Sequence, residues 1–355
     1  MSNLKYNYLL KQIVNPAALR KRLIELNAKY SKNRVHPVID SWYLPTYQMN
    51  LVDDIINCNH YFHGYTTKQL IDGHSGKVRT LHIPEIHDRI YESVIMQVVE
   101  PAFKHKWTSI PYASITDRGL SAGLRKVKNY IGCCSKIKKD YALKLDIVKY
   151  YESINQDRMC TVIDKHFTND KIIGNNLKQI VYSFGPGLPI GTYSSQFLAN
   201  LYLADLDFMC AQLDNDGRCN VVRYMDDIIV ICTDYAKVLE MQKAITDWCT
   251  NAGLKLHEPV VVNFNDDDDT ATIQMCGMQF GHNGVWVAPV TKGHMIQQYS
   301  EICQHILDGT CTELDLGRLA SIKGWISNST EWDLLSDMQL DFLIEYLVQD
   351  LHGDY

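Results

Sequence analysis

Two apolar runs, Val221-Val222 and Ile228-Ile229-Val230-Ile231, flank a short polar break. β-Branched runs placed this way around a turn predict a hairpin. Its tip would be the four-residue turn Tyr224-Met225-Asp226-Asp227. Such tips usually hold Gly or Asn, which tolerate positive φ; this one holds two adjacent acids. Period-two alternation marks a second strand in Tyr141–Tyr151. There Leu143, Leu145 and Ile147 face one way, and Lys144 and Asp146 the other. Gly73-His74-Ser75-Gly76 reads as a turn that runs into an alternating strand ending at Pro84, with Lys77 and Arg79 on one face. Leu254–Leu256 predicts a short strand. Ile273–Phe280 and Val285–Val290 predict a hairpin around Asn283-Gly284.

Helical spacing fills most of the rest. Leu19, Leu23 and Leu26 follow Pro16, which suits the first turn of a helix. A short helix is expected around Leu51–Cys58. Another spans Ile86–Phe103, with Ile90, Val94, Met96 and Val98 inward and Asp88-Arg89 at the surface or in a local ion pair. A charged helix follows Gly119, and residues 157–183 read as helices. Phe184–Gln196 is a Gly/Pro-rich loop leading into the apolar helix Phe197–Leu203, with Ser194 or Ser195 as its cap. Lys237–Ala252 is a helix ended by Gly253, and residues 291–355 are mostly helical. Repeats and low-complexity segments are absent from the sequence.

Composition sets the class. Hydrophobic content of 46% and charged content of 21% are globular values. No apolar run reaches membrane-spanning length, and Met1-Ser2-Asn3-Leu4-Lys5 lacks the apolar core of a signal peptide. The 11 cysteines form no Cys-x-x-Cys pair, so buried free thiols in a reducing cytoplasm are expected and a zinc site is not. The net charge of −6 hides a split: residues 1–150 carry +11 and residues 151–355 carry −17. A polyanion would be drawn to the first half and repelled by most of the second. The first half holds a basic arm (Arg20, Lys21, Arg22, Lys29, Lys32, Arg34). It also holds a second basic region: Lys104, Lys106, Arg118, Arg125, Lys126, Lys128, Lys136, Lys138 and Lys139. Trp107, Tyr112 and Tyr130 are interleaved with the latter, a mixture that suits a single-stranded template. An ordinary solvated helix would carry the same charges.

The candidate chemistry lies at the hairpin tip. Adjacent carboxylates repel and resist desolvation, so the tip is either a solvated turn or a divalent-metal site. Asp146, at a strand end, would complete a three-carboxylate cage if it converges on Asp226 and Asp227. Lys77 and Arg79 could grip a triphosphate or simply be solvated. Asp266–Asp269 reads as a solvated acidic turn.

These motifs fall in a recognisable order: Lys77-x-Arg79; Asp146 with Tyr151; Gly191-x-x-Ser194-Ser195-Gln196; Tyr224-Met225-Asp226-Asp227; Met275-Cys276-Gly277. The ordered set, over about residues 70–290, resembles the reverse transcriptases. The resemblance implies an α+β fold of right-hand polymerase architecture, with fingers, an antiparallel-sheet palm and a helical thumb. Residues 1–70 would be a basic helical extension, 71–140 with 160–190 the fingers, 141–159 with 191–290 the palm, and 291–355 the thumb. It implies two Mg²⁺ ions, with Mn²⁺ able to substitute, held by Asp146, Asp226, Asp227 and the Ile147 carbonyl. Lys77, Arg79, Tyr151, Ile190 and Gly191 would bind the dNTP, with Tyr151 excluding a 2′-hydroxyl. Lys104, Lys106, Arg118, Arg125, Lys126, Lys128, Gln196, Tyr224 and Met225 would contact template or primer.

Most reverse transcriptases carry Gln-Gly-x-x-x-Ser-Pro where this chain has Ile190-Gly191-Thr192-Tyr193-Ser194-Ser195-Gln196. That substitution, with Gly187-Leu188-Pro189 and Leu319-Ala320-Ser321-Ile322-Lys323-Gly324-Trp325, is similar to the enzymes of diversity-generating retroelements. These copy a repeat RNA into cDNA with errors at template adenines, alongside a basic, barrel-forming accessory protein. The resemblance places the chain in a bacterial or phage-host cytoplasm. The alternatives are a phage-defence or retron-like reverse transcriptase and an inactive, RNA-binding polymerase fold. One departure is the acidic segment 291–355, which carries −8 where polymerase thumbs usually grip duplex phosphates. Its outer face, with Asp308, Asp315, Asp337, Asp341 and Glu345, would then turn from nucleic acid towards a basic partner.

Overall fold

The structure is a computed structural model that describes residues 8–32, 45–71, 76–133, 139–214, 217–265 and 271–352. Helices α1 (Tyr8–Ile13), α2 (Pro16–Lys32) and α3 (Pro45–Asn57) precede a hairpin of β1 (Tyr65–Ile71) and β2 (Val78–Pro84). Next come α4 (Ile86–Phe103), α5 (Leu120–Ile131), β3 (Tyr141–Asp146), α6 (Tyr150–Ser153), α7 (Gln156–His166), α8 (Lys171–Tyr182), α9 (Tyr193–Tyr202) and α10 (Ala204–Leu213). The hairpin β4 (Cys219–Tyr224) and β5 (Asp227–Cys232) leads to α11 (Tyr235–Asn251) and β6 (Val260–Asn263). Short strands β7 (Ile273–Met275), β8 (Met278–Phe280) and β9 (Val285–Val287) precede α12 (Pro289–Asp308), α13 (Glu313–Ser327), α14 (Asp333–Asp337) and α15 (Leu340–His352).

The central sheet is antiparallel, in the order β4-β5-β3-β6. Alternate residues of its strands enter two different cores. Leu143, Leu145, Ile228 and Val230 join a cluster with α4, α7, α8 and α9. Ala142, Val222, Ile229 and Ile231 join a second, with α5, β7–β9 and α12–α15. Burial on both faces explains why β5 reads as a continuous apolar run, whereas β3 keeps its alternation through Lys144 and Asp146. Each fully buried Val or Ile contributes roughly 1.5–3 kcal/mol, and slippage by one residue would send each side chain into the opposite core and the polar Lys144 and Asp146 into the first. Register is therefore fixed, and it pairs Asp146 with Asp227 and Tyr224 with Asp227.

Several expectations are corrected. Leu254–Leu256 is no strand: Leu256 makes only an isolated bridge to Ile147, and the strand beside β3 is β6. Ile273–Phe280 is itself a hairpin, folded at Cys276-Gly277, and Val290 lies in α12. Both turn residues there have positive φ. Ser194 and Ser195 do not cap α9; Thr192 does, accepting the Ser195 N–H. Asp88 is buried rather than superficial, bonded to His60 and to the ring and backbone N–H of His63. Asp315 is buried in a capping box with Thr312, so it is no part of an outer acidic face. The turn residues 73–75, Arg34, Lys136, Lys138 and the acidic run 266–269 lie outside the described residues.

Candidate active site

The β4–β5 tip is a two-residue reversal. Met225, not a glycine, supplies the left-handed backbone, with φ of 54°. The pairing of β3 with β5 carries Asp146 to the same end of the sheet. Burial pushes the Asp226 carboxyl up to about 6, with Asp146 and Asp227 adding repulsion and its own backbone N–H and Arg79 opposing. The three acids and Arg79 of β2 therefore lie close enough to act on one another electrostatically. Burial also raises Asp227, opposed by Lys144 and the Cys276 N–H. Tyr151 is pushed up to about 12 by burial and by Asp226, and its hydroxyl lies 3.7 Å from the Met225 sulfur.

The third carboxylate differs from the other two. Asp227 Oδ2 accepts the Cys276 N–H at 3.0 Å, and Oδ1 lies 3.5 Å from Lys144 Nζ. The three-carboxylate cage expected from sequence is not preformed. Among the described residues, no three His, Cys, Asp or Glu side chains are set to hold a metal ion. What the tip does offer is a pair of acids, Asp146 and Asp226, that repel one another with Arg79 opposing. That donor set fits Mg²⁺, which takes one or two carboxylates and completes its shell with water and substrate phosphates. Ile147 lies alongside, its N–H directed at the Asp226 carbonyl at 3.4 Å.

The loop before α9 closes the other side. His82 of β2 donates its N–H to Ile190 at 2.7 Å, which sets Ile190-Gly191 against the strand that carries Arg79. Gly187, with φ of 84°, lies so close to Tyr151 and Glu152 that an added Cβ would come within 2.6 Å of the Tyr151 carbonyl. Leu188 donates its N–H to that same carbonyl at 2.8 Å. From α7, Gln156 Nε2 donates to the carbonyls of Val181, Gly185 and Gly187 at 2.8–3.1 Å. Ile190-Gly191 is thereby tied to β2, which carries Arg79, and Gly187-Leu188 to Tyr151; Lys77 lies just before β2.

Residues 68–259 match the family of reverse transcriptases, the RNA-dependent DNA polymerases. The chain belongs to the reverse transcriptase family. It is 20% identical over 169 residues to Protein YkfC of Escherichia coli (strain K12), covering 45% of this chain and 44% of that one. Among solved structures it resembles apo telomerase from Candida Tropicalis, with a TM-score of 0.50 and 11% identity over 74% of this chain and 57% of that one. It also resembles the Candida Tropicalis telomerase in complex with a TWJ fragment of telomeric RNA. That match has a TM-score of 0.50 and 11% identity over 87% of this chain and 58% of that one. The chain thus spans under half of the curated relative and under six tenths of the telomerases. The shared fold is the α+β right-hand polymerase architecture.

The basic residues of the chain are unequally available. Lys104 is paired with Asp117 at 2.5 Å, and Lys106 sits over the Phe103 ring. Arg118 donates to the Thr108 and Pro111 carbonyls at 2.6 and 2.7 Å, so it braces its own loop. Arg125 and Lys126 are exposed on α5 and line a cavity of about 330 Å³ with Tyr112, Arg118 and Asn129. Lys128 is half-buried on the same helix. Gln196 accepts from the Ser114 hydroxyl at 2.8 Å, Tyr224 is half-buried, and Met225 is buried against Tyr151.

Sequence reading assigned no role to Lys144, Gln156, Glu92 or Arg223. Glu92 is buried in α4 and accepts the Ser194 hydroxyl at 2.8 Å. Lys144 and Arg223 left a signal, each a cation inside a strand with apolar neighbours.

Proposed function

We propose that the chain is an RNA-directed DNA polymerase that makes cDNA by nucleotidyl transfer, the error-prone enzyme of a diversity-generating retroelement. The convergence of Asp146 and Asp226 with Arg79 and Tyr151 at one sheet end carries this reading. Asp146 and Asp226 would hold two Mg²⁺ ions, with Ile147 adjoining and Asp227 in support. Bound there, the ions would stabilise the attacking 3′-oxygen and the leaving pyrophosphate. Arg79 and Lys77 neutralise the triphosphate. The Tyr151 ring lies under the sugar and rejects a 2′-hydroxyl by contact. Ile190 and Gly191 border the templating pair; Ile190 offers shape without a hydrogen bond, so discrimination there rests on weaker differences. The fingers would be 71–140 with 160–190, the palm 141–159 with 191–290, and the thumb 291–355, after a basic extension over 1–70. Template RNA follows α5 through Arg125, Lys126 and Lys128. The ten described cysteines are free, in keeping with a reducing cytoplasm.

Primer extension on an RNA template with dNTPs tests the reading. Asp226→Asn should lower the rate at least about 100-fold while folding and RNA binding persist, since it removes charge from a turn and no core contact. A variant that extends at near wild-type rate refutes the carboxylate assignment. Sequenced cDNA should show errors concentrated opposite template adenine; errors spread evenly over the four bases refute the retroelement reading and leave the polymerase intact.

A further inference from the structure

Beneath the Met225-Asp226 turn lies a charged pair with no part in the chemistry above. Arg223 is 1% exposed and Asp207 of α10 is 2% exposed. The contact is bidentate, Nε to Oδ1 at 2.7 Å and Nη2 to Oδ2 at 2.6 Å. The remaining nitrogen, Nη1, donates to Asn200 Oδ1 at 3.2 Å and to the Met225 carbonyl at 2.9 Å. Asn200 is tied in turn to the Ala113 carbonyl at 2.8 Å. The Arg223 backbone is held too: it donates to the Ile110 carbonyl at 3.0 Å and accepts the Tyr112 N–H at 2.9 Å.

A buried ion pair confers little net stability over apolar residues of the same volume, because desolvation offsets the attraction. The pair also holds one backbone atom, the Met225 carbonyl. Met225 is a bulky residue in the left-handed region, a strained conformation that persists only where neighbours fix it. Its carbonyl is the one turn group that Arg223 reaches, one residue before Asp226.

We propose that Arg223, clamped by Asp207 and Asn200, is a positioning residue that holds the Met225 carbonyl and so sets the pose of Asp226. This rests on the polymerase reading for its consequence, though not for its geometry. The planar fork matters as well as the charge, since one guanidinium serves three partners in fixed directions and an ammonium cannot.

Two variants test it: Arg223→Lys, and the double variant Arg223→Met with Asp207→Leu. Each is compared with the wild-type chain in thermal unfolding, in amide hydrogen exchange of the peptide 224–228 without nucleic acid, and in primer extension. Both should fold. Exchange at 224–228 should quicken about tenfold or more. The kcat should fall about 100-fold, as small misplacements of reacting groups do, with KM for dNTP within about a factor of two. A folded variant with wild-type exchange and wild-type kcat overturns the proposal. So does failure of both variants to fold, which would make the pair a support of the whole core. If the wild-type chain extends no primer, the polymerase reading fails, and hydrogen exchange still decides the positioning role.

Discussion

At the scale of residues, the site is a balance of unneutralised charge and shape. Tyr151 is fixed from two sides: its hydroxyl approaches the Met225 sulfur, and its carbonyl is bonded by Leu188. Its ring is therefore available as a rigid wall. Tyr151→Ala should raise ribonucleotide incorporation about tenfold or more, the scale of discrimination that a single contact supplies. Unchanged selection between dNTP and rNTP would show the ring to be core packing alone. Glu92 makes a different kind of prediction. Burial, the largest cause, pushes its carboxyl up to about 7, with hydrogen bonds from Ser194 opposing and Asp88 adding repulsion. A carboxylate whose folded value is raised holds its proton longer in the native state. Its stability is fully present below about 4.5 and is lost as pH rises towards about 7. Glu92→Gln, which is neutral at every pH, should therefore gain stability over the parent across that window, by up to roughly 3 kcal/mol above it. Paired denaturation curves at pH 5 and pH 8 check this, and an equal difference at both would contradict the buried titration.

At the scale of elements, the loop between α8 and α9 joins parts distant in sequence. Gly187 meets the Tyr151–Glu152 backbone, and Ile190 meets β2. Gly187→Ala combines positive φ with a clash against backbone that cannot swing aside. It should cost about 1–3 kcal/mol and raise the KM for dNTP, because Tyr151 is displaced along with the loop. A melting curve and a substrate titration decide it; an unchanged KM would mean that the loop yields without moving the ring. The next hairpin is tied in similarly. The Cys276 N–H reaches Asp227, and a Cβ on Gly277 would press Thr291 of α12 and Trp325 of α13. The turn therefore links the carboxylate hairpin to the C-terminal helices.

At the scale of the molecule, charge is segregated along the chain, with −8 over residues 291–355. The structure refines which of these acids face outward. Asp315 is a buried cap, and Asp341 is paired with Lys323. Asp337 and Glu345 are exposed. We propose that this face docks a basic accessory protein, since complementary charge steers encounter. Asp337→Lys with Glu345→Lys should weaken that binding and flatten its salt dependence, while extension on a simple primer-template stays unharmed. Unchanged affinity, or no basic partner in a pull-down, would leave the acids as a solvated surface. No helix among the described residues is long and apolar enough to cross a membrane.

The sequence by itself determined the elements and the order of the motifs, because apolar periodicity and turn chemistry act over a few residues. The helix Ile86–Phe103 and the β4–β5 hairpin were legible for that reason. So was the inward and outward division of β3, since alternation is a local property. The tertiary structure decided what depends on pairing between distant segments. Register placed Asp146 opposite Asp227, and the fold of the next hairpin brought the Cys276 N–H to one oxygen of Asp227. It also decided that Arg118 braces a loop while Arg125 and Lys126 are exposed on α5, Lys126 over the Tyr130 ring, and that Asp88 and Asp315 are interior. A charged side chain looks the same in sequence whether it is solvated or buried. Its partner is named only when another part of the chain, many residues away, is folded against it.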